Sequence, residues 1–203
     1  MFGQEMSTSP PITKFWSWFS SNHREIAEAY DCGDSARLER LFTNRLPETT
    51  DALNWEMGPY YHPGYTLVLS PTVRENLPFT KRMVSEAPVI PDWHFLPAKP
   101  PKNLLKLHFE LPHASVCADD WRYVLLAYPD GFMELDILIP ANAPFSDSQD
   151  PLICDLLVES LIGEAARLEH IGRITPLRVD AATAPRGIAI TSMKNHINER
   201  LHQ

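Results

Sequence analysis

The residues best placed to do chemistry in this chain are His108 and Glu110, together with Glu134 and Asp136. Each pair is spaced i, i+2, which puts both side chains on one face of a β-strand. His108 and Glu110 alternate with Leu107, Phe109 and Leu111, while Glu134 and Asp136 alternate with Met133, Leu135 and Ile137. If the two strands are neighbours, an imidazole and three carboxylates stand together on one sheet face. Mixed nitrogen and oxygen donors of this kind suit zinc, manganese or iron, and a metal-dependent hydrolase is the activity they imply. The ordinary alternative is a solvated outer face, where charged side chains are expected.

Two further groups carry reactive side chains. His113 to Asp120 holds a histidine, the Cys117 thiol and the carboxylates of Asp119 and Asp120 in one stretch. A Cys–His pair can be nucleophilic, although its members normally come from separated segments. A lone cysteine between Val116 and Ala118 is usually a small hydrophobe. Glu164 follows Gly163 near Glu169 and His170; it is either a functional carboxylate or a polar residue in a surface turn. The motifs GxGxxG, GxxxxGK[ST], HExxH and GxSxG are absent, as is any kinase signature. No cofactor is therefore implied, and the odds of an enzyme fall.

The elements that must position these residues form a pattern that occurs twice: two strands, a helix and a third strand. The first copy comprises Leu53–Met57, Tyr65–Ser70, a helix after Asn76 and the strand Trp93–Pro97. The second comprises Trp121–Tyr128, Phe132–Pro140, a helix after Ser146 and the strand Arg173–Val179. In the second helix Ser146 and Gln149 form a capping box, Leu152, Ile153, Leu156, Leu157, Leu161 and Ile162 form the apolar stripe, and Gly163 is the stop. Asn76 reads as the cap of the first copy's helix, with Pro78 in its first turn.

Ahead of both copies lies a helical pair. One helix spans Ile12–Tyr30 with Thr13 as cap, and a shorter one is capped by Asp34 and ends before Pro47. The alternating strand Leu104–Leu111 is expected to link the two sheets, and a final helix carries Met193, Ile197 and Leu201. The class is α+β: two β-β-α-β units of mostly antiparallel sheet covered by helices, plus an N-terminal helical pair. The expected organisation is a tail over 1–11, a first region over 12–103 and a second over 104–203, folded as one compact domain.

Charge and composition narrow the functional classes. The net charge is −8 and no Lys/Arg cluster stands out, which argues against nucleic acid as a partner. No run approaches the roughly 18 apolar residues that span a bilayer, and the N-terminus does not read as a secretory signal. Three scattered cysteines without a CxxC pair fit a reducing, cytoplasmic setting. The 19 prolines mostly punctuate element edges and read as rigid loops.

Two stretches carry a family resemblance. Trp55-Glu56-Met57-Gly58-Pro59, Leu67-Val68-Leu69-Ser70-Pro71, and Ala87-Pro88 through Pro91-Asp92-Trp93 form the first. Leu156–Glu164 followed by Ile171-Gly172-Arg173-Ile174 forms the second. Together they resemble a group of uncharacterised bacterial proteins with a GP turn, an "lvIS" strand, an AP-x-x-P-x-W segment and an "LGE" helix end. The resemblance implies a fold and no activity. Trp93 and Glu164, within these segments, are the candidate binding residues. The expectation is a non-catalytic bacterial interaction protein, with a basic protein partner or a second copy of itself as the ligand.

Overall fold

The computed structural model describes residues 10–49, 51–58, 63–102, 107–111, 114–180 and 186–201, and the side chains of Phe109, Leu111 and Ala114 are not among those described. The chain is an α+β protein whose contacts divide it into two compact units, 1–99 and 100–203.

In the first unit, helices α1 (Pro10–Asp31) and α2 (Ser35–Phe42) precede strands β1 (Asn54–Gly58) and β2 (Tyr65–Ser70), helix α3 (Leu77–Ser85) and strand β3 (Trp93–Leu96). The sheet order is β1-β2-β3, with β1 antiparallel and β3 parallel to the central β2. Strand β2 reads Tyr-Thr-Leu-Val-Leu-Ser because five of its six residues are fully buried. One face packs on α1, whose Phe15, Trp16, Phe19 and Ile26 join Leu67, Leu69, Met83 and Trp93 in a single core. The rings meet edge to face: Trp16–Phe95 at 4.7 Å and Phe19–Trp93 at 4.9 Å.

Local chemistry sets the joints. Gly33 takes a left-handed φ of 67° and stops α1. The Asp34 carboxylate then accepts the Arg37 N–H at 2.9 Å to start α2, as the sequence led us to expect. Arg37 also reaches Glu25 and Glu28 on α1 at 3.1 and 3.0 Å, tying the two helices together. Two expected caps are corrected. Helix α1 already begins at Pro10, because prolines fit a first turn, so Thr13 lies inside it. Asn76 caps nothing with its side chain; its amide instead donates to the carbonyls of Asp51 (2.9 Å) and Pro71 (3.1 Å) and pins the loop after β2.

In the second unit, a two-stranded ribbon of β4 (His108–Leu111) and β5 (Ala114–Cys117) precedes β6 (Arg122–Ala127), β7 (Met133–Pro140), helices α4 (Asp150–Ile162) and α5 (Glu164–His170), β8 (Ile171–Val179), β9 (Ile188–Ala189) and α6 (Met193–Leu201). The larger sheet has the order β8-β7-β6-β9. Strand β7 is antiparallel to β6 and parallel to β8, which reproduces the connectivity of β1, β2 and β3. The doubled pattern in the sequence is thus a doubled topology: a hairpin, a crossover helix and a parallel third strand. Leu135, Ile137 and Ile139 of β7 meet Ile153, Leu157 and Leu161 of α4, with Met193 and Ile197 of α6 completing the core.

The capping box of Ser146 and Gln149 is formed, and Gly163 at φ 84° ends α4. The phase of α4 differs from the expected stripe. Leu152 and Leu156 face outward at 59% and 38% exposure, while Cys154 and Val158 are buried. The helix is apolar almost all round, so periodicity alone could not phase it.

Candidate functional site

Strand β1 lies at the edge of its sheet, bonded to β2 on one side and to no described strand on the other. Beside it runs a groove of about 450 Å³, lined by Tyr30 and Gly33 at the end of α1, Ser35, Leu38 and Glu39 of α2, and Asn54 to Met57 of β1. The helix-stopping glycine and the Asp34 cap start α2, whose Glu39 lines the groove together with Glu56 of the strand. Trp55 is fixed by stacking on Phe42, with centroids 4.0 Å apart and an interplanar angle of 16°. Tyr30 meets Tyr65 edge-on at 6.2 Å. The Tyr65 hydroxyl donates to Asp31 at 2.7 Å, and that bond raises its phenol above the ordinary range.

The lining therefore offers two carboxylates, two aromatic rings and the backbone of a sheet edge. Among the described residues that line it there is no lysine, arginine, histidine or cysteine. Such a groove can hold a cation against ring faces and carboxylates, and it can accept an extended chain along the strand edge.

The residues singled out from the sequence fall elsewhere. His108 and Glu110 do share one exposed face, and there they touch: His108 Nε2 lies 2.7 Å from Glu110 Oε1. Ser115 Oγ lies 2.9 Å from the same nitrogen and 3.2 Å from Glu110 Oε1. The hydrogen bonds from His108 and then Ser115 hold the Glu110 carboxyl below its ordinary range. This is not a Ser–His–acid triad, because serine and carboxylate address one nitrogen, and a triad places them on opposite ones.

Glu134 and Asp136 do not join them. The condition that the two strands be neighbours is not met: β4 bonds to β5, whereas β7 lies between β6 and β8. Glu134 instead pairs with Arg173 at 2.8 Å, and Asp136 stands opposite Val124 and Thr175. Among the described residues no group of three or more histidine, cysteine or acidic side chains is gathered for a metal.

The stretch read as a reactive loop is partly strand β5. Cys117 is exposed, with its sulfur 3.6 Å from Asp119 Oδ2, and His113 lies outside the described residues. Asp119 is engaged structurally, accepting the Leu107 N–H at 2.8 Å. Trp93 is 8% exposed and packs on Phe19, Tyr65 and Phe95, which makes it a core residue rather than one offered to a ligand. Glu164 is 3% exposed at the first position of α5, a helix where the sequence implied a short connection.

The groove residues escaped the sequence reading because Glu39 and Glu56 look like ordinary surface charges and Trp55 like an ordinary strand aromatic. Compared with known proteins, the chain matches no family model, no curated protein and no solved structure.

Proposed function

We propose that this chain is a binding protein without a reaction of its own, which takes a basic, extended segment of a partner protein along β1. The observation that carries the reading is the groove at the β1 edge, walled by Tyr30, Trp55, Glu39 and Glu56 and free of lysine and arginine. The net charge of −8 favours approach of a positively charged partner over the same surface. Exposed, unpaired Cys32 and Cys117 fit a reducing cytoplasmic setting. No described helix is long and apolar enough to cross a membrane.

The test is titration of a fluorescent peptide of alternating lysine and valine, with a glutamine-and-valine peptide as control. The basic peptide should bind and weaken as salt shortens the screening length. Glu39→Gln with Glu56→Gln should weaken it about two- to thirtyfold, from two exposed charge contacts of about 0.2–1 kcal/mol each. Equal binding of the neutral peptide, or no response to the double substitution, rules out this groove as the site.

A further inference from the structure

We propose that a second groove, beside Glu86, is a binding site for a primary ammonium group carried on a short alkyl chain. This groove, of about 480 Å³, is bounded by Thr13, Trp16, Ser17 and Ser20 of α1 and by Glu86 and Pro88 just beyond α3. The volume is within the range of small-molecule sites.

The argument begins with an unsatisfied group. The Glu86 side chain is 8% exposed, and only one of its oxygens is engaged: Oε1 accepts from Arg82 Nε at 2.7 Å. Oε2 is buried and has no hydrogen-bond partner. Burying half a carboxylate unpaired is costly, so a group of this kind calls for an explanation. Its position increases the cost, because Glu86 is the C-cap of α3 and a negative charge there faces the negative end of the helix dipole. Among the described residues that line the groove there is no lysine or arginine to supply a second positive charge.

The chemistry of the walls selects the ligand. An ammonium carries three donors. One would meet Oε2 once the carboxylate turns about its broad terminal torsion toward the groove, a turn that carries Oε1 with it and that the half-exposed Arg82 side chain would have to follow. The others would reach the hydroxyls of Ser17 and Ser20. Pro88, half-buried at the rim, supplies apolar surface for the alkyl chain, while Trp16 is a core ring beneath whose N–H is committed to the Met83 carbonyl at 2.8 Å. A divalent metal is a poor fit, because one carboxylate and two hydroxyls fall short of the six or more oxygens a hard cation requires.

The experiment is calorimetric titration of the full chain with n-butylammonium, with n-butanol and tetramethylammonium as controls, while the ¹⁵N-labelled Trp16 indole signal is followed. Saturable binding of n-butylammonium is expected, with no binding of butanol and weaker binding of tetramethylammonium, which donates no hydrogen bond. Glu86→Gln should weaken n-butylammonium at least about tenfold, because a charge-assisted hydrogen bond is lost. Ser20→Phe, an exposed position on α1, should fill the groove and abolish binding with the melting temperature unchanged. This second variant decides the matter if Glu86→Gln fails to fold. Absence of saturable binding, equal binding of butanol, or n-butylammonium binding that survives Ser20→Phe overturns the proposal.

Discussion

Replacing Arg178 with methionine should cost this protein about 3 kcal/mol of stability, and the reason lies in where α4 starts. Asp150, the first residue of α4, has a side chain only 7% exposed. Arg178 on β8 meets it with both arms of its guanidinium, Nε and Nη2 each 2.9 Å from a carboxylate oxygen. Nη2 also donates to the Phe145 carbonyl at 2.7 Å, and the guanidinium carbon lies 5.2 Å from the centre of the Phe145 ring. Removing one partner of a buried pair leaves the other charge uncompensated, at a cost of about 3–5 kcal/mol. Arg178 keeps 19% exposure, which places the expectation at the lower end. Asp147 also contacts Arg178, at 3.0 Å, but is 86% exposed, so Asp147→Asn should cost less than about 0.5 kcal/mol. Combining Arg178→Met with Asp150→Asn should recover part of the loss, with a coupling of about 1.5 kcal/mol or more. Urea unfolding monitored by ¹⁹F NMR of fluorotryptophan separates the units, since Trp121 is the second unit's single tryptophan. An Arg178→Met cost below 1 kcal/mol, or an equal cost for Asp147→Asn, would refute the claim that burial of Asp150 governs the effect.

Two other outcomes follow from local geometry. Gly64 has φ 120°, and a Cβ there would run into the Asp92 carbonyl oxygen that accepts the Tyr65 N–H at 2.7 Å; Gly64→Ala should therefore destabilise the first unit by about 1–3 kcal/mol in a denaturation curve. Burial, reinforced by Asp150 and Asp155, pushes the Cys154 thiol up to about 12. Because the folded value exceeds the unfolded one of about 8.5, the stability this thiol contributes is complete below pH ~8.5 and is lost as pH rises toward 12. Cys154→Val should flatten the alkaline limb of the stability curve, and an unchanged slope would contradict the assignment. At neutral pH a thiol reagent should label exposed Cys32 and Cys117 promptly and Cys154 only on unfolding.

Much of the fold was legible because it depends on short-range rules. Alternation located β7, the capping box of Ser146 and Gln149 fixed the entry to α4, and Gly163 fixed its end. The repeated order of elements anticipated the matching topology of β1-β2-β3 and β6-β7-β8. Errors arose where one sequence signal served two geometries. An asparagine before a helix can cap it or tie down a loop, and Asn76 does the second. Apolar residues all round α4 gave no phase, so Leu152 and Leu156 were placed on the wrong side. Ala-Ser-Val-Cys is too short to announce a strand, so it reads as loop in sequence and leaves the neighbour of β4 open.

By itself, the sequence determined most of the helices and strands, with α5, β5 and β9 the exceptions, which strand faces are apolar, and that His108 and Glu110 share one side. Those properties follow from spacing along the chain and the period of each element. Tertiary structure alone decided that Glu134 and Asp136 stand beside Arg173 and Thr175 rather than His108, that Trp93 is core, and that Glu39 and Glu56 line one groove. Strand neighbours and helix packing are chosen by burial of whole faces, a sum over many residues that no single spacing records.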